Sequence, residues 1–109
     1  MAVHQFARIL RPPQTGERFD EARPQEYECI EVKDDLMDEI LLALGEIPAF
    51  RQTTDWPAHG LDEAGITLIP PQSAGRMAEI IGSRAEFIGL CVLCSEACQT
   101  QTWLIHFGI

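Results

Sequence analysis

The stretch GITLIPPQSAGRMAEIIGSRAEFIGLCVLCSEACQTQTWLIHF, residues 65–107, decides the fold. Gly65 to Ile69 is β-branched and apolar and reads as a strand, which Pro70 and Pro71 terminate because proline cannot donate to a ladder. Ser73 then reads as the cap of a helix running through Met77, Ile80 and Ile81 to Gly82. Ser83 with Glu86 fits a capping box, a hydroxyl followed three residues later by a carboxylate, and opens a second helix to about Gln99. Thr102 to Phe107 is apolar on both faces and reads as an interior strand.

Working outward, Val3 to Leu10 alternates loosely and reads as a first strand, ended by Pro12 and Pro13. The polar stretch to Gln25 reads as a loop. Tyr27 to Val32 alternates and reads as a short strand at a sheet edge, where acidic residues discourage aggregation. From Asp34 to Gly45, Leu36, Met37, Ile40, Leu41 and Leu44 form one apolar stripe, which predicts an amphipathic helix. Phe50 to Thr54 reads as a short strand and Asp55 to Ala64 as a loop. The expected order is ββαββααβ: an α+β (or α/β) sandwich of a four- to five-stranded mixed sheet with about three helices, one domain over residues 1–109. Two helices between the last two strands are compatible with a crossover that leaves those strands parallel.

Charge is segregated. Between Glu17 and Glu46 stand eleven acidic and three basic residues, so this block carries nearly all of the formal charge of −9. Such a field favours basic partners and disfavours nucleic acid and anionic membranes. The block also reads as a solvated face. If it is a binding surface, its members are Glu28, Glu31, Asp35, Asp38 and Glu39, on the strand and the polar side of the following helix. No basic patch with interleaved aromatics and no phosphate-binding glycine loop is present. The start, Met1 to Arg8, lacks a basic region followed by a long apolar run, so no secretory leader is expected. Phe87 to Cys94 is too short to span a bilayer. Four cysteines then fit reduced thiols in a cytoplasm.

Cys91, Cys94 and Cys98 invite a metal or redox reading, with Cys29 or a histidine as a further ligand. On a helix they fall within about 60° of one another, amid Phe87, Leu90, Leu93 and Ala97. Cys91 and Cys98 are also about 10 Å apart along a straight axis, too far to share one ion. Packing therefore outweighs ligation, and neither a metal nor a cofactor is expected.

The loop holding Asp55, His59, Asp62 and Glu63 has groups for general acid–base work, but a loop sequence does not show convergence. The bland alternative is a solvated turn anchored by Trp56. Ser73 lacks a nucleophile setting. His106 reads as a core histidine bonded to a backbone carbonyl, and His4 carries no signal.

These observations lean away from an enzyme and toward a small acidic protein docking on a basic protein partner, an inhibitor or adaptor. The metal- or redox-responsive domain is the alternative. In size, charge and want of a catalytic motif the chain resembles the small acidic immunity proteins that neutralise bacterial nuclease toxins, a resemblance of class alone. The apolar end, Trp103 to Ile109, must be buried in this domain or against a second copy, which leaves a homo-oligomer open.

Overall fold

A computed structural model describes residues 2–19 and 23–109. Its nine regular elements are β1 (Val3–Ile9), β2 (Ile30–Lys33), α1 (Asp34–Met37), β3 (Pro48–Arg51), β4 (Pro57–His59), β5 (Ile66–Ile69), α2 (Pro71–Ile81), α3 (Ile88–Thr100) and β6 (Trp103–Phe107). The strands form one open sheet in the order β2-β1-β6-β5-β3-β4. The fold is α+β.

Every strand pair is antiparallel, which corrects the expected mixed sheet. The reason lies in the αα unit. One helix between two strands returns the chain to the sheet's starting end and leaves the strands parallel. Two helices, α2 out and α3 back, reverse it once more, so β6 runs antiparallel to β5. The sheet has six strands rather than four or five, because Pro57–His59, read as loop, pairs with β3 through Pro48–His59, Ala49–Ala58 and Phe50–Pro57. Its proline suits an edge position.

Both faces of the sheet are covered, which explains why β5, apolar apart from Thr67, is buried at all four positions. On one face Phe6, Val32, Ile69 and Leu104 meet the buried residues of the helices: Met37, Ala74, Met77, Ile81, Leu90, Cys94 and Ala97. On the other, Ala7, Ile9, Ile66, Leu68, Ile105 and Phe107 are covered by Phe19, Tyr27 and Cys29 of the connection between β1 and β2. The Tyr27 ring lies 5.7 Å from that of Phe107, and the Phe19 N–H donates to the Gln52 carbonyl at 2.7 Å. The interior position expected for the last strand holds, with β6 between β1 and β5, and β2 lies at the expected edge.

Helix starts are the main local corrections. Proline at the first position of α2 and Gly82 at φ +64° after its end bound that helix. Ser73 is no cap: it lies inside the first turn, and its hydroxyl donates to the Pro48 carbonyl at 2.5 Å. Ser83 and Glu86 form no capping box; a 3₁₀ turn, Ala85–Phe87, leads into α3 without a side-chain cap.

The predicted helix 34–45 is regular only over Asp34–Met37. Beyond it, N–H groups reach back three residues (Ile40 to Met37, Gly45 to Leu42, Ile47 to Leu44) as well as four (Leu44 to Ile40). Met37, Ile40, Leu44 and Ile47 are nonetheless all buried in the core.

Candidate functional site: the acidic edge and the histidines behind it

β2 is the outermost strand on its side of the sheet, and α1 follows without a break. Glu28, Glu31, Asp35, Asp38 and Glu39 are all exposed along this strand, its approach and the turns after it. Glu31 lies on β2, Asp35 on α1, Asp38 and Glu39 in the turns after it, and Glu28 in the approach to β2, where it lines a cavity with Glu26 and Tyr27. Lys33, on β2, is also exposed. Asp20 and Glu21 of the acidic block lie outside the described residues.

Ion pairing is uneven. Arg8 pairs with Glu96, Arg11 with Glu17, Arg23 with Glu26, Arg76 with Glu79, and Arg84 with Glu39. The Arg51 guanidinium donates to the carbonyls of Gly60 and His59 at 2.7 and 3.0 Å. Among the described residues, Glu28, Glu31, Asp35 and Asp38 enter no ion pair. Most arginines are therefore neutralised by their neighbours, while the edge carboxylates keep their charge toward solvent.

Beside Asp38 the surface turns apolar. A shallow cavity of about 410 Å³ is lined by Asp38, Leu41, Leu42, Gly45, His59, Gly60, Leu61 and Glu63, and Leu42 is 93% exposed. A second cavity, about 1040 Å³, lies beneath the β1–β2 connection and is lined by Arg8, Arg11, Glu17, Phe19, Tyr27 and Phe107 among others. Its charges are internally matched. Two hydrogen bonds from Arg11, at 2.9 and 2.5 Å, pull the Glu17 carboxyl down to about 2, helped by the Gln14 N–H.

Behind the edge sits an arrangement that sequence reasoning missed. His4 of β1 and His106 of β6 are both fully buried. His4 Nε2 is 2.8 Å from Asp34 Oδ1, and His4 Nδ1 is 2.8 Å from His106 Nε2. The rings stack with centroids 5.1 Å apart, and Phe6 covers His106 at 4.8 Å. His106 does not bond a backbone carbonyl as expected; its Nδ1 is buried without a partner. Burial first, then His4 and Arg51, push its pKa down to about 3, so the ring is neutral. Alternation along β1 and β6 put His4 and His106 on a core face, but only the register, Phe6 opposite His106, sets them side by side.

The other candidates disperse. Asp62 is fixed in a turn: its N–H donates to the Thr67 hydroxyl at 2.9 Å and its carboxylate accepts from the Ala64 N–H at 3.2 Å. Asp55 and His59 are exposed, and Trp56 is 55% exposed rather than anchored in the core. Cys91, Cys94 and Cys98 lie on the helix that packs against α2. Cys91 Sγ approaches the Ala78 carbonyl at 3.8 Å, Cys98 Sγ lies over Gly75, and burial pushes the Cys94 thiol up to about 12. Among the described residues no three histidine, cysteine or acidic side chains gather closely enough to hold a metal ion. Nor is any described helix long and apolar enough to cross a membrane.

No family model, curated protein or solved structure matches the chain.

Proposed function

We propose that this protein is a non-enzymatic binding protein whose β2–α1 edge docks on a basic protein partner, as an inhibitor or adaptor does. The observation that carries the reading is the set of exposed carboxylates, Glu28, Glu31, Asp35 and Asp38, that enter no ion pair among the described residues, in a molecule whose described arginines are mostly paired. Complementary charge raises association rates and suppresses wrong partners. The Leu42 groove beside Asp38 adds an apolar anchor, since charge alone gives steering more than affinity.

The test is a pull-down from native extract at low and moderate salt, with wild type and the D35K/D38K/E39K variant as baits. The expected result is a stoichiometric basic protein held by wild type at low salt, lost as salt rises and lost in the variant. A partner held equally by both baits contradicts the reading, and so does the absence of any partner.

A further inference from the structure

One hydrogen bond sets the direction of the backbone groups along β2. The Asp34 N–H donates to the Ala2 carbonyl at 3.1 Å. Ala2 and Asp34 continue the register that puts Val3 opposite Lys33 and Phe6 opposite Ile30. In an antiparallel ladder, pairs that exchange hydrogen bonds alternate with pairs that do not. The bonded pairs are therefore Ala2–Asp34, His4–Val32 and Phe6–Ile30, while Val3–Lys33 and Gln5–Glu31 are unbonded. The N–H and C=O of an unbonded residue point away from the partner strand. Those of Glu31 and Lys33 thus point off the open edge of the sheet.

The Lys33 carbonyl is used internally, because Lys33 is the N-cap of α1 and its C=O accepts the first bond of that helix. Three groups remain at the edge: the Glu31 N–H, the Glu31 C=O and the Lys33 N–H. Among the described residues none of the three has a partner. Such a row is a template for a further strand.

Side chains select what can add there. Those of Ile30 and Val32 turn toward the helices: Val32 is buried, and Ile30 Cδ1 would lie 4.0 Å from a Cβ on Gly89 of α3. Those of Glu31 and Lys33 alternate with them and are exposed. Glu31, and Glu28 and Asp35 to either side, enter no ion pair among the described residues and are exposed. Like charges directly opposite each other on paired strands repel, and opposite charges attract. An acidic strand is therefore rejected, and a second copy of a chain carrying −9 is disfavoured as a whole. A basic strand is favoured.

We propose that β2 takes up an extended basic segment of the partner as an added antiparallel strand. A lysine or arginine of that segment stands directly opposite Glu31 and exchanges both backbone hydrogen bonds with it. Apolar residues on either side stand opposite Ile30 and Val32. The residue two positions before the basic one stands opposite Lys33 and accepts from its N–H. This gives the docking function its mode of recognition and rests on it: charge brings the segment in, and main-chain bonds fix its register.

The test turns on Lys33. Its φ is −61°, the angle proline fixes, and its N–H faces outward, so Lys33→Pro removes one edge donor and leaves the β1–β2 ladder intact. Lys33→Ala removes the same charge and keeps the donor. The probe is the acetylated and amidated peptide Thr-Val-Arg-Val-Arg, titrated into nitrogen-labelled protein with the amide resonances followed. The largest shifts should fall on the Glu31 and Lys33 amides. Lys33→Ala should bind at least as tightly as wild type, and Lys33→Pro about fivefold or more weakly than Lys33→Ala. Equal binding by the two variants overturns strand addition but leaves the docking function standing, since charge would then suffice. No binding to wild type overturns it as well, while the pull-down judges the docking function separately.

Should Lys33→Pro not fold, N-methylated peptides and wild-type protein decide. A methyl on the central arginine nitrogen, whose N–H donates to the Glu31 carbonyl, should abolish binding. One on the preceding valine nitrogen, whose N–H points away, should not. Equal losses overturn the proposal. Dimerisation of the free protein that Lys33→Pro abolishes would put a second copy on the edge and overturn the basic occupant.

Discussion

His4 Nδ1 lies 2.8 Å from His106 Nε2, and neither ring is exposed. The residues are 102 positions apart, yet the pairing of the first strand with the last makes them neighbours. Their contact links the centre of the sheet to Asp34 at the start of the acidic edge.

Stability should fall in mild acid. His106 titrates at about 3 when folded, against an ordinary 6.5, because burial and the positive groups nearby disfavour its charged form. Between these values the unfolded chain binds more protons, so stability rises with pH. It should be complete above about pH 6.5, decline below it and level off near pH 3, with a total change of a few kcal/mol. Urea unfolding at a series of pH values checks this, and in His106→Gln the slope between pH 6.5 and 4.5 should flatten, carboxylate titration dominating only below.

Gly75→Ala should destabilise. A Cβ there would stand 2.6 Å from Cys98 Sγ of the facing helix α3. Overpacking of this kind costs about 1–3 kcal/mol. Adding Cys98→Ala removes the obstructing sulfur, so the two changes together should be less destabilising than the sum of each alone, which a double-mutant cycle measures.

Ser73→Ala should cost about 1–2 kcal/mol. The hydroxyl joins α2 to the start of β3 through the Pro48 carbonyl, and the substitution removes that part-buried bond. Thermal unfolding should show a lower midpoint with the secondary structure unchanged.

The thiol of Cys94 should be inert in the native protein. It is fully buried, and burial holds its pKa near 12, so almost no thiolate forms at neutral pH. Mass-mapped alkylation should modify Cys94 only on unfolding; rapid native labelling would instead favour the redox-responsive reading.

Strand and helix positions were largely legible, because apolar period and proline stops act locally: β5, β6 and both long helices stand where the pattern put them. The direction of β6 was not. It depends on whether two helices cross the sheet or double back, which no local signal records. Pro57–His59 escaped notice because a three-residue edge strand has no period to read. The five acidic positions were legible as exposed because charge seeks water, whereas the histidine pair was not, since two histidines at the chain's ends meet only through register. Serine and glutamate at 83 and 86 show the converse: a fitting local motif that the helix start leaves unused.

The most direct test of the docking function is a calorimetric titration of the captured partner with wild type and with E28Q/E31Q/D35N/D38N, each from about 50 to about 300 mM salt. The account predicts a wild-type Kd that weakens at least about tenfold across that range, and a neutralised variant that binds weakly with little salt dependence. Equal affinity and equal salt dependence for the two proteins would contradict it and leave the acidic edge a solvated face.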